Sequence, residues 1–118
     1  MKASGTGDQG RLDDILDRLR DIRGHLRVDR AVFDRDRDLQ KIVAYDLMII
    51  GEAASKVSKR TQAANPRVPW TALVEYRNQL IHEYGVLDLK DTWEFVKGDL
   101  REVERKLARV RIAPTKSD

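Results

Sequence analysis

The run Arg77-Asn78-Gln79-Leu80-Ile81-His82-Glu83-Tyr84 holds two residue types that phosphodiester cleavage calls for. An imidazole titrates near neutral pH, so a histidine at position 82 is suited to take up a proton and return it. A guanidinium is permanently charged and presents a fork of donors matched to phosphate oxygens, which Arg77 supplies. In RNA cleavage the ribose 2′-hydroxyl loses a proton as it attacks phosphorus, and the leaving oxygen gains one. The negative charge that develops between those events needs a cation.

Spacing by itself does not bring the two together. Five residues at 100° each leave Arg77 and His82 about 140° apart around an ideal helix. Arg77 and Tyr84, seven apart, face the same way, and Asn78 and His82, four apart, are neighbours. Convergence requires that the helix loosen near Gly85, that Arg77 use its reach, or that a second subunit complete the site. The plainer alternative is a surface or ion-paired Arg77, a His82 favoured by the C-terminal end of a helix dipole, and a Tyr84 that packs.

The elements that must position these residues are helical. Leu12, Ile15, Leu16, Leu19, Ile22 and Leu26 recur at steps of three and four, which predicts a first helix over about 11–27. A charged stretch from Asp29 to Asp38 leads to a second series, Leu39, Ile42, Val43, Leu47, Ile50, Ala54 and Val57, on a long helix. Gly51 lies inside it at a cost of about 1 kcal/mol relative to alanine, which marks a place where a neighbouring backbone approaches closely. Pro66 and Pro69 bracket a turn, and a third helix begins near Trp70 and ends near Gly85. Trp93, Val96, Leu100, Val103, Leu107 and Val110 form the seam of a fourth. With no strand-like alternation and no repeat, the expected fold is all-α, an antiparallel four-helix bundle. Residues 1–10 read as a flexible leader, 11–112 as one domain and 113–118 as a tail.

Composition narrows the classes. A chain of 118 residues suits one core and gains from a shared apolar face, so a homodimer is expected. The absence of cysteine removes thiol chemistry and thiolate metal sites, and suits a cytoplasmic protein. The longest apolar run, Leu47 to Ile50, is too short to cross a bilayer. A net charge of +3 from 23 basic and 20 acidic residues permits an anionic partner without locating a patch for one. Arg101, Arg105, Lys106, Arg109 and Arg111 are candidates for RNA-backbone contact, but Glu102 and Glu104 interrupt them. Asp34, Asp36 and Asp38 read as a solvated charge run and His25 as a surface histidine, so neither a metal site nor a cofactor is expected.

Arg77, His82 and Tyr84 reproduce an Arg-x4-His-x-Tyr pattern that resembles the signature of the HEPN superfamily, in its HepT-like toxin branch. Asp38-Leu39-Gln40, the run from Asp46 to Ala54, and Val68-Pro69-Trp70 are similar to that branch in order and spacing, so the likeness extends from about Leu12 to Leu107. The resemblance implies a helical homodimer with both motifs facing one cleft, and an endoribonuclease that needs no metal. It implies Arg77 and His82 as the catalytic pair. It implies an adjacent nucleotidyltransferase (MNT-type) antitoxin that adds adenylyl groups to Tyr84, which would repel and exclude RNA, whether tRNA or mRNA. Asn78 and Glu52 are supporting candidates, Asn78 to position phosphate or His82 and Glu52 to orient a catalytic side chain, or else to form an ion pair or dimer contact. Two rival readings are a non-catalytic helical dimer that binds nucleotide or RNA, and a chain that is chiefly a modification substrate of its partner.

Overall fold

In the computed structural model, which describes residues 7–83 and 86–112, each of the four apolar series becomes helix. The order is α1 (Gly7–His25), α2 (Arg30–Arg35), α3 (Arg37–Ser55), α4 (Lys59–Ala64), α5 (Trp70–Leu80), α6 (Leu89–Glu94), a π-helical turn (Phe95–Asp99) and α7 (Leu100–Ala108). The protein is all-α; its one β feature among the described residues is an isolated bridge between Ile81 and Leu87.

The predicted stripes are the core. Ile15, Leu19, Ile22 and Leu26 of the first series are fully buried, as are Val43, Leu47 and Ile50 of the second. Each such side chain stabilises the fold by about 1.5–3 kcal/mol before chain entropy is set against it. Helix α1 packs on α3 and α7, and α3 packs on α5. Polar contacts fix the direction of these pairs. Arg18 meets Asp46 while Asp8 meets Ser58, so α1 and α3 run antiparallel. Arg23 grips both carboxylate oxygens of the buried Glu104, at 2.7 and 3.1 Å, and Lys97 donates to the Leu26 carbonyl at 2.9 Å, so α1 and α7 are antiparallel as well.

Four expectations are corrected. Helix α1 begins at Gly7, so residues 7–10 belong to the folded domain and not to a leader; residues 1–6 and 113–118 lie outside the described residues. The cause is Asp8, whose carboxylate accepts hydrogen bonds from the Ser58 backbone N–H at 2.9 Å, the Ser58 hydroxyl at 2.7 Å and the Thr61 hydroxyl. The charged stretch contains a short helix, α2, and the break before α3 is capped by Asp36, which accepts from the Leu39 N–H at 3.0 Å. The long second helix stops at Ser55, because Ser58 caps a separate helix α4. The fourth series contains one residue more per turn at 95–99, and the π turn buries both Phe95 and Val96 where a regular seam would bury Val96 alone.

Burial tends to raise the Asp8 carboxyl pKa, but hydrogen bonds from Thr61 and Ser58, with the charge of Arg60, outweigh it and hold the group below its ordinary value. A carboxylate depressed in the folded state contributes stability above its unfolded pKa and loses it as pH falls through the folded one. Asp8→Ala is therefore expected to cost about 1–3 kcal/mol at neutral pH, with the gap from wild type narrowing in acid; parallel denaturant melts at several pH values check this.

Asp46 behaves in the opposite sense. It is 2% exposed and one carboxylate oxygen has no partner. Burial raises its pKa against the opposing hydrogen bond and charge of Arg18. No described helix is long and apolar enough to cross a membrane.

Candidate active site

Arg77 owes its position to a close helix crossing. A Cβ placed on Gly51 of α3 would lie 3.4 Å from the Val74 carbonyl oxygen and 3.5 Å from the Arg77 Cβ, so α3 and α5 touch at this glycine, as its place in the sequence predicts. On its other side α5 is held by Tyr76, whose ring sits 4.4 Å from that of Phe95 in the π turn. Arg77 lies between these two anchors, half-buried and in the last turn of α5. Among the described residues its guanidinium makes no hydrogen bond or ion pair, so its donors are uncommitted.

An alanine Cβ fits at Gly51 in ordinary contact, and the added helix propensity offsets the crowding. The methyls of Gly51→Val reach into α5. That change is expected to cost about 1–3 kcal/mol and to shift Arg77, seen as a lower melting midpoint and weaker activity than in Gly51→Ala.

His82 does not continue the helix. α5 ends at Leu80, and Ile81 turns extended at φ −116° and ψ 119°. The chain then closes a narrow loop: the His82 N–H donates to the Val86 carbonyl at 2.6 Å and the Asp88 N–H donates to the Leu80 carbonyl at 2.7 Å. Buried Leu80 and Leu87, on either side of the loop, tie it to the core. The expected helix end near Gly85 is thus replaced by an earlier one, and Gly85 lies outside the described residues. The angle of an ideal helix consequently does not govern this pair. Arg77 and His82 flank the C-terminal end of α5, and no hydrogen bond joins them.

The His82 ring is 56% exposed, and its Nε2 stands 3.7 Å from a carboxylate oxygen of Asp88. This is too long for a hydrogen bond, but it becomes an ion pair when the ring takes a second proton. The other Asp88 oxygen accepts from the Asp91 N–H at 2.9 Å and caps α6. Asp88 is the residue that sequence reasoning missed. Its signal is available: an aspartate just before a helical run is a common cap.

The supporting candidates stand apart from His82. Asn78 is exposed and donates to Glu75 at 3.4 Å, not to His82. Glu52 pairs with Lys56 at 3.0 Å on α3, the ion-pair alternative of the sequence reading. The Lys56 hydrogen bond and charge lower its pKa, with smaller effects from Arg77 and Arg11. Tyr84 falls outside the described residues. Among the described residues no group of three His, Asp or Glu side chains is placed to hold a metal ion.

Residues 15–110 match the family described as HepT-like ribonuclease. The chain belongs to the HepT-like family. A protein of Thermococcus cleftensis named "Probable ribonuclease HepT" is 32% identical over 76 residues, spanning 64% of this chain and 69% of that one. A protein of Methanocaldococcus jannaschii under a provisional RNase name is 31% identical over 97 residues, 81% of this chain and 89% of its own length. Another from the same organism, similarly named, is 27% identical over 99 residues, 84% of this chain and 80% of its own. No solved structure gives a significant match. The HepT-like match spans α5, the loop and α6, and so includes both Arg77 and His82.

Proposed function

We propose that this HepT-like protein is an endoribonuclease toxin that cuts RNA by 2′-hydroxyl attack without a metal. The observation that carries the reading is the uncommitted Arg77 guanidinium in the last turn of α5, with an exposed, carboxylate-backed His82 just beyond it. In the reaction the 2′-oxygen bonds to phosphorus as its proton leaves. The bond from phosphorus to the 5′-oxygen then breaks, and that oxygen takes a proton, leaving a 2′,3′-cyclic phosphate. His82 serves one of the two proton transfers. Arg77 holds the charged oxygens of the five-coordinate phosphorus. Asp88 steadies the ring and its charged form, a positioning role.

A second copy supplies the rest of the cleft. Ile42, Tyr45 and Met48 on α3 are 42%, 56% and 46% exposed, an apolar stripe that continues toward Glu52 and the Gly51–Arg77 crossing. A chain of this size gains from covering such a face. Met48→Glu is expected to turn a dimer into a monomer on light scattering and to reduce cleavage with it; a dimer of unchanged stability would move the interface elsewhere.

Regulation follows from the third motif residue. The Tyr84 hydroxyl attacks the α-phosphorus of ATP on a nucleotidyltransferase antitoxin, pyrophosphate departs, and the bound AMP adds bulk and negative charge beside Arg77. Expression should arrest growth, and co-expression of the partner should relieve it, with an added adenylyl mass that Tyr84→Phe loses. Tight RNA binding with neither cleavage nor growth arrest would instead favour a binding module.

A further inference from the structure

A cavity of about 300 Å³ opens at the far end of α5 from the candidate site, between the 64–68 turn and the last turns of α7. Arg67, Lys106 and Arg109 line it, with Glu102 as its one acid. Glu102 is already engaged by Arg105 at 2.7 Å. No hydrogen bond or ion pair holds the side chains of Arg67, Lys106 or Arg109 among the described residues. The frame around these three cations is rigid. The Asn65 side chain donates to the Arg111 carbonyl at 2.9 Å and accepts from the Arg111 N–H at 3.1 Å, which ties the turn to the end of α7. The Asn65 carbonyl accepts from the indole of the buried Trp70 at 2.9 Å, which ties the same turn to the start of α5.

Three cations on a fixed frame with no internal acid free to neutralise them form a receptor for phosphate. Trp70 and Arg77 are seven residues apart on one helix, an axial distance of about 10 Å. We infer that this cavity binds a backbone phosphate of the RNA strand whose scissile bond lies at Arg77 and His82. The inference rests on the proposed RNA substrate, and it adds a second anchoring point that sets where along the strand the cut falls. Free nucleotide carries the same phosphate chemistry and is the competing source.

The test uses the full chain carrying His82→Ala, so that binding is read without turnover. Binding of a labelled single-stranded RNA is titrated at several salt concentrations, with AMP and inorganic phosphate as competitors. Adding Arg67→Ala, Lys106→Ala and Arg109→Ala together is expected to weaken binding ten- to a hundredfold and to reduce the slope of log K against log salt by about 2. Glu102→Gln, a single exposed change that keeps the frame, is expected to tighten binding. Wild-type affinity and salt slope in the triple variant, or no gain in Glu102→Gln, would overturn the inference. Displacement of the RNA by micromolar AMP, lost in the triple variant, would also overturn it by assigning the cavity to a free nucleotide. Because binding is measured apart from cleavage, a protein that binds RNA here but never cuts it would refute the nuclease reading and leave the cavity's role intact.

Discussion

His82→Ala is expected to lower kcat/KM for RNA cleavage by about 10²–10⁴, the usual contribution of a positioned acid or base. The fold should survive the change. The His82 ring is exposed and belongs to no core cluster, and the bonds that shape its loop come from the backbone N–H of His82 and Asp88. The melting midpoint of the variant should therefore match wild type, so that the loss is chemical. Asp88→Asn should cost less, because the 3.7 Å separation makes this contact an aid to the protonated ring and not its source. Cleavage by His82→Ala at the wild-type rate would remove this residue from the mechanism.

The second large effect is at Arg77. Arg77→Ala removes the only cation assigned to the reacting phosphate and should lower kcat by about 10²–10³, similar to the loss of one donor from an oxyanion site. Arg77→Lys keeps the charge but replaces a planar fork by a compact ammonium, so it should recover only part of that loss. The distinction lies in the kinetics. A guanidinium that acts on the five-coordinate phosphorus changes kcat, whereas one that only holds RNA raises KM and leaves kcat unchanged. In Arg77→Ala the Glu52–Lys56 pair should persist, since its 3.0 Å contact lies within α3.

Local periodicity carried the parts of this fold that depend on neighbours along the chain. The stripe from Leu12 to Leu26 is buried as its three-and-four spacing requires, and Gly51 meets α5 where a small residue in a helix would. Contacts between distant residues left no such mark. Asp8 lies in a polar, glycine-rich stretch and becomes helical because Ser58 and Thr61, 50 and 53 positions away, donate to it. The π turn depends on Tyr76 and Phe95 meeting across two elements, which a seam counted along one helix does not register.

The candidate site shows the same division. Residue types and the family pattern identified Arg77 and His82, but an uninterrupted helix to Gly85 would have put them on different faces. The bridge between Ile81 and Leu87 removes that difficulty by ending α5 at Leu80. Nothing between Leu80 and His82 is a glycine or proline, so no breaker announced the stop. It comes from burying Leu80 and Leu87 together, a tertiary event. Of the polar neighbours proposed from sequence, Asn78 and Glu52 turned to Glu75 and Lys56, while Asp88 took the place beside the imidazole.

The central claim is that the RNA supplies the nucleophile, and a single measurement bears on it directly. Once a cleavage position has been mapped, the purified protein is incubated in excess chelator with that RNA and with the same RNA carrying one 2′-deoxyribose on the 5′ side of the scissile phosphate. The ribose substrate should be cut to a 2′,3′-cyclic phosphate or its hydrolysis product, and the deoxy substrate should remain intact. Cleavage of the deoxy substrate at that position, or cleavage of the ribose substrate only after a divalent metal is restored, would contradict the mechanism.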